Sequence, residues 1–75
     1  MLPVLSIRGR VEITEQGYGF LIDTGEPPPY HRILLTQSFL RRHRLQANQL
    51  IAVVPHLPGA HETYAYAVEL SARYR

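Results

Sequence analysis

Short stretches of alternating apolar and polar residues, broken by glycine and proline, constrain the fold of this chain more than any other feature. In residues 6–15, Ile7, Val11 and Ile13 share one parity, and charged side chains occupy most of the other. A period of two residues is typical of a strand with one buried face. Gly9, on the apolar side, indicates a bulge or a bend. We therefore predict a half-buried first strand.

Further segments have the composition of short strands, rich in β-branched and aromatic residues. They are residues 18–23, 32–36, 50–54 and 64–70. Pro55 is expected to end the fourth strand, because proline cannot donate to a ladder of hydrogen bonds. In the fifth strand the sequence does not decide which side chains face the core. The small residues Ala65 and Ala67 suit a barrel interior, and so do the larger residues that alternate with them. Residues 71–75 are expected to fray.

Two other segments break the strand pattern. Three consecutive prolines, residues 27–29, lie in the stretch 24–31 and predict a stiff loop. Residues 36–45 change to helical spacing, with Thr36 or Ser38 available as the N-cap. One or two helical turns are predicted there.

These elements together predict a single domain over residues 1–75, with a barrel over about residues 5–71 and a flexible C-terminal end. The predicted fold is all-β: a five-stranded antiparallel Greek-key barrel of the OB type, with a short helical turn between strands 3 and 4. A closed sheet is favoured because an open one would expose two unpaired edges.

Composition narrows the function classes. The chain has no cysteine, and its histidines lack metal-ligand spacing, so no metal site or other cofactor is expected. No apolar run approaches the roughly 20 residues of a membrane helix, so we expect a cytoplasmic protein without a membrane partner. No nucleophile is paired with a base, so neither catalytic residues nor a small-molecule substrate is expected. The net charge is +2, and every basic residue other than histidine is an arginine.

The segment 16–22 combines two glycines with Tyr18 and Phe20. Residues two apart in a strand share a face, so both rings point the same way. Exposed, they would form a platform on which unpaired nucleobases stack. Buried, they would be ordinary core aromatics. From this segment alone the two interpretations have equal weight.

The order of several short motifs resembles the RNA-binding cold-shock-like domain of the bacterial transcription-termination factor Rho. The resemblance runs from Gly9 to Leu70 and implies a bacterial source. It is carried by residues 9–13 (Gly-Arg-Val-Glu-Ile), 17–21 (Gly-Tyr-Gly-Phe-Leu), 33–36 (Ile-Leu-Leu-Thr), 38–42 (Ser-Phe-Leu-Arg-Arg) and 62–64 (Glu-Thr-Tyr).

In that family the two rings of the glycine–aromatic motif stack on pyrimidine bases. The resemblance implies this role for Tyr18 and Phe20. A Glu-Arg-Tyr segment lines the pocket for a second base, and Glu62 and Tyr64 match its outer members. The family's arginine between them is Thr63 here.

Other positions of the family's base-binding surface differ. His31 and Arg32 stand where an acidic residue accepts a hydrogen bond from cytosine, Leu34 replaces an aromatic residue, and Ile22 replaces an arginine. A carboxylate accepts from the amino group of cytosine, so its replacement removes that discrimination. Without the Gly-Lys-Thr/Ser loop of an ATPase, Rho's motor activity is not expected.

The leading hypothesis is therefore a non-catalytic module that binds single-stranded nucleic acid, RNA more than DNA. Arg8, Arg10 and Arg32, with the arginines of the helical turn, would contact phosphates. The alternative is an OB-fold protein–protein interaction module with a degenerate nucleic-acid surface. The apolar residues Ile22, Leu34 and Leu57 and the modest net charge favour it.

Overall fold

Strands account for most of the chain that the structure describes. The computed structural model describes residues 6–23, 32–56, 58–61 and 65–74. The elements are β1 (Ile7–Ile13), β2 (Gly19–Asp23), β3 (Arg32–Leu35), α1 (Gln37–Arg42), β4 (Leu50–His56) and β5 (Ala65–Tyr74). The predicted proline loop lies outside the described residues.

The strands form a closed barrel in the order β1-β2-β3-β5-β4, with β4 pairing back to β1. This confirms an all-β barrel with five strands and one short helix between β3 and β4. The prediction that all strands are antiparallel was wrong, because β3 and β5 run parallel through the pairs Ile33↔Ala65 and Leu34↔Tyr66. A parallel pair requires a long crossover, and α1 together with β4 supplies it.

β1 closes the barrel by pairing with two strands at once. Residues 9–13 pair with β2, and residues 7–10 pair with β4. Gly9 belongs to both ladders, and a Cβ atom there would overlap the backbone carbonyl oxygen of Ile22. The glycine therefore lets the backbone of β2 approach β1 closely, and β1 continues through this position as an unbroken strand.

The core fills the inside of the barrel and is entirely apolar among the described residues. Its most deeply buried members are Val11, Leu21, Ile33, Leu35, Ile51 and Val53. In β5 the alanines face inward, with Ala65 and Ala67 buried and Tyr66 exposed. This decides the parity that the sequence left open. Ile13 departs from its expected burial and is 42% exposed, because it lies at the end of β1, beside the hairpin turn.

Helix α1 packs against the barrel core. Thr36 is its N-cap: the hydroxyl oxygen accepts a hydrogen bond from the backbone N–H of Phe39 at 3.2 Å. Phe39 and Leu40 are buried on the inner side of the helix, and Leu45 is buried just beyond its end. The apolar helical spacing thus extends the barrel core.

β4 and β5 are longer than predicted. β4 continues through Pro55 to His56, because the ladder with β5 shifts register between Val54 and Pro55. The residue left out of the ladder is Val68 of β5, and Pro55 pairs with Ala67 beside this bulge, where proline is tolerated in a strand. β5 continues to Tyr74, which pairs with Leu50, so residues 71–74 form strand where the sequence indicated fraying.

The close approach of the β2 backbone to Gly9 gives a first prediction. Gly9→Ala should lower the free energy of unfolding by about 1–3 kcal/mol, because the methyl group is forced against the carbonyl of Ile22. Chemical denaturation measures the effect. Ser71→Thr, which adds a methyl group to an exposed residue of β5, is the matched control and should change stability by less than about 0.5 kcal/mol. Equal stability of the two variants would contradict the crowding at Gly9.

The long β5 gives a second prediction. Removing residues 71–75 should destabilise the barrel by about 2 kcal/mol or more, because the removed strand carries several backbone hydrogen bonds worth about 1 kcal/mol each. It also removes the guanidinium of Arg73, which donates to the backbone carbonyl of His43. Thermal unfolding of the shortened chain measures this. An unchanged Tm would mean that the end frays, as the sequence pattern indicated.

Candidate functional site

An open groove of about 400 Å³ lies on the outside of the barrel, where β2 and β3 meet the start of α1. We call it the aromatic groove; it is lined by Tyr18, Phe20, Leu34, Thr36 and Gln37. Its lining is mostly apolar, with polar groups from the two residues at the start of the helix. Small-molecule sites span roughly 300–1,000 Å³, so the groove has room for one flat group of modest size.

The hairpin between β1 and β2 holds Tyr18 at the edge of the aromatic groove. The carbonyl of Tyr18 accepts two hydrogen bonds from Thr14, one from the backbone N–H at 2.8 Å and one from the threonine hydroxyl at 3.0 Å. Gly17, whose φ of +95° favours glycine, makes the preceding turn. Tyr18 is 37% exposed. Its ring is therefore a surface feature on a fixed backbone.

Phe20 is placed by the register of the sheet. It pairs with Glu12 on β1 and with Leu34 on β3, so its half-buried side chain lies on the outer face. Between the two rings, Gly19 packs close to β1: a Cβ atom there would lie 2.5 Å from the carbonyl oxygen of Glu12. Both aromatics thus lie outside the core, which decides the question that the sequence left open.

The rings of Tyr18 and Phe20 are nearly perpendicular. Their centroids are 5.6 Å apart and their planes meet at 78°. An edge-to-face pair is a favourable aromatic geometry, but it differs from the shared stacking platform that the exposed interpretation of the sequence implied. The two rings form adjoining walls, so one flat group can stack on one ring while its edge meets the other.

Of the three candidate arginines outside the helix, Arg32 alone is seen in contact with an aromatic of the groove. Its guanidinium carbon lies 5.7 Å from the centroid of the Phe20 ring, a cation–π arrangement. Arg8 instead lies over Tyr74, at 5.5 Å. Arg10 is held by Glu12 at 3.1 Å and by Asn48 at 3.0 Å. Glu62 and Tyr64, the remaining predicted site residues, lie outside the described residues.

Gln37 is a groove residue that the sequence analysis missed. It is exposed, and its side-chain amide makes no hydrogen bond within the described part of the chain. An amide offers both donors and an acceptor. No local sequence signal marks this position, because it depends on how α1 packs beside β2.

Tyr66 was also missed. It pairs with Leu34 across the parallel ladder and is 37% exposed, and its ring stacks on that of His56 at 4.7 Å. Phe20, Leu34 and Tyr66 therefore lie side by side on neighbouring strands. The small alanines that flank Tyr66 were the signal that the tyrosine faces outward.

A second groove of about 410 Å³ adjoins the first. We call it the arginine groove; its lining residues are Ile13, Gly17, Gln37, Leu40, Arg41, Arg44 and Leu45. Gln37 lines both grooves. Two of the three arginines in residues 41–44 are therefore grouped here. The third, Arg42, lines a smaller cavity beside Tyr66 and Val68.

His43 lies between these arginines at the C-terminal end of α1. Its ring packs on Phe39 at 4.7 Å. Burial lowers the pKa of His43, and the positive charges of Arg42 and Arg73 lower it further. The negative end of the helix dipole favours the protonated form of a histidine at this position. Burial and the two arginine charges outweigh that effect, so the pKa is lowered.

Within the described residues, no group of three or more histidine or acidic side chains is arranged to hold a metal ion. None of the described helices is long and apolar enough to cross a membrane. Comparison of the sequence with protein-family models and with curated proteins finds no match. The geometry of the barrel surface is therefore the main guide to its function.

The lowered pKa of His43 gives a third prediction. The unfolded chain binds a proton at His43 near pH 6.5, while the folded protein binds it only at lower pH. Stability is therefore lost as the pH falls below about 6.5. His43→Gln should show a smaller loss between pH 7.5 and pH 5.0, measured by urea denaturation. The other histidines are common to both proteins, so an identical loss would contradict the shift at His43.

Proposed function

We propose that this protein is a non-catalytic binding module for single-stranded nucleic acid, RNA more than DNA. We further propose that the barrel is of the OB type and related to the RNA-binding domain of Rho, as the motif order in the sequence implies. The observation that carries the proposal is the aromatic groove: an exposed tyrosine ring and a half-buried phenylalanine ring, on β2 and its hairpin turn, with an arginine over the phenylalanine.

The place of the groove in the barrel supports this proposal. OB barrels bind oligonucleotides on the face of strands 2 and 3, between the loop that joins strands 1 and 2 and the loop that joins strands 4 and 5. Phe20 and Leu34 lie on the corresponding face, and Tyr18 ends the corresponding first loop. The ring surface of Tyr18 and Phe20 that remains in contact with water has an energetic cost, which a stacked base would relieve.

The chemistry of the groove fits an unpaired base. A base would stack on one ring and meet the other at its edge, which suits the 78° angle between Tyr18 and Phe20. Arg32 has a planar cation that can stack or bind phosphate. The amide of Gln37 can donate or accept, so it would tolerate different base edges. The groove therefore favours single strands over duplex and gives little base discrimination.

A protein-interaction role is favoured by a different observation: several apolar side chains are exposed around the barrel. The largest exposures are those of Val68, Ile13, Tyr74, Leu50, Tyr18 and Tyr66, between 53% and 37%. Apolar and aromatic residues of this kind are common at the centre of protein interfaces. Under this alternative the aromatic groove would hold a side chain of the partner.

Titration with short oligonucleotides tests the proposal and gives a fourth prediction. Labelled oligo-U, oligo-dT and a duplex of equal length are titrated at low salt and followed by fluorescence anisotropy. Tyr18→Ala and Phe20→Ala should each weaken binding of the single strands by about 1–3 kcal/mol, the usual contribution of one stacked base. Binding should also weaken as salt is raised.

The control is Tyr74→Ala, which removes an equally exposed tyrosine at the far end of β5. Its affinity should equal that of the wild type. Wild-type affinity in the Tyr18→Ala/Phe20→Ala double variant would exclude stacking in the aromatic groove. No binding of any oligonucleotide by the wild-type chain would favour the protein-interaction alternative.

A further inference from the structure

The arginine groove contains two cations that have no acidic partner within the described part of the chain. Among the described residues, the one ion pair joins Arg10 to Glu12, and neither Arg41 nor Arg44 makes a hydrogen bond through its side chain. Both are exposed. Unpaired arginines that share a concave surface attract an anion with several oxygen atoms, since the guanidinium binds phosphate in a fixed fork geometry.

Arg44 occupies a backbone position where glycine is usual. Its φ is +52°, in the left-handed region. Its N–H donates to the carbonyl of Arg41 at 3.2 Å, and the N–H of Leu45 donates to the carbonyl of Leu40 at 3.0 Å. These two hydrogen bonds form a Schellman motif, whose left-handed residue is most often glycine. A side chain kept at such a position despite the strain is characteristic of functional sites.

The arginine groove is continuous with the aromatic groove. Gln37 lines both, and its side-chain nitrogen would lie 3.0 Å from a Cβ atom at Gly17. Gly17 lines the arginine groove and is followed directly by Tyr18 in the aromatic groove. A chain leaving the rings can therefore reach the two arginines across Gly17 and Gln37.

We infer that the arginine groove is a phosphate subsite, in which Arg41 and Arg44 bind the backbone of a nucleic-acid strand whose base occupies the aromatic groove. This inference rests on the proposed function and adds to it the course of the strand around the end of the barrel. Ile13, exposed at the wall of the groove, provides an apolar surface for a ribose. Arg42 faces a different cavity and takes no part.

The strength of the salt dependence tests the inference. For single strands the slope of log K against log salt is about −0.7 for each phosphate neutralised. The double variant Arg41→Gln/Arg44→Gly should therefore have a slope shallower by about 1.4. Between 50 and 200 mM salt the wild type should lose affinity for oligo-U by a factor about seven greater than the double variant does. Arg42→Gln, the matched control, removes one charge from the same helix and should leave the slope unchanged.

Stability separates a binding effect from misfolding. Glycine relieves the left-handed strain at residue 44, so the Tm of Arg44→Gly should equal or exceed that of the wild type while its affinity falls. Arg41→Gln removes the other arginine from an ordinary helical position and gives a second, independent measurement of the salt slope of binding. With an oligonucleotide of neutral methylphosphonate linkages, the wild type and the double variant should bind equally.

Three outcomes would overturn the inference in distinguishable ways. If oligo-U binding depends on Tyr18 but the double variant keeps the wild-type slope, the phosphate subsite is wrong and the aromatic groove stands. If Arg42→Gln changes the slope as much as Arg41→Gln does, the arginines act as a diffuse positive surface. If the wild-type chain binds no oligonucleotide, the proposed function fails and the subsite fails with it.

Discussion

The pairing of β1 with two neighbouring strands is the interaction on which the rest of this barrel depends. β1 pairs with β2 along residues 9–13 and with β4 along residues 7–10, so the two ladders overlap at Gly9 and Arg10. A side chain at Gly9 would meet the backbone of β2. A sheet of five strands closes into a barrel only if its first and last strands pair with each other, which leaves no free edge. Gly9 lies where the two ladders overlap, at a position that has no room for a side chain.

Closure also creates the candidate site. With Val11, Leu21 and Ile33 turned into the barrel, the alternate residues of β2 and β3 must face outward. Phe20 and Leu34 are therefore neighbours on the surface because Leu21 and Ile33 are neighbours in the core. The hairpin bonds to Tyr18 and the capped helix beginning at Gln37 then add the two ends of the groove. The same pleat that fills the core thus provides the surface on which we propose that a base stacks.

Local patterns predicted most of the elements but less of their extent. The alternation in β1, the apolar run of β4 and the threonine before α1 are signals carried by neighbouring residues, and the strands and the cap follow them. The path of β4 through Pro55 and the length of β5 depend on partners distant in the sequence. A bulge in the ladder removes the usual conflict between proline and a strand, and no local pattern reveals it. The parallel pairing of β3 with β5 is likewise a property of the crossover.

The sequence by itself determined that this chain forms short strands around a small apolar core, and it identified Tyr18 and Phe20 as the residues to examine, because glycine and alternation act over a few residues. Only the tertiary structure decided that both rings lie outside the core, that their planes meet at 78°, and that Arg32 contacts Phe20 while Arg8 and Arg10 contact other residues. It also brought Gln37 and the strained Arg44 beside the hairpin turn. These relations depend on strand register and on the packing of α1, which join residues that are far apart in the chain.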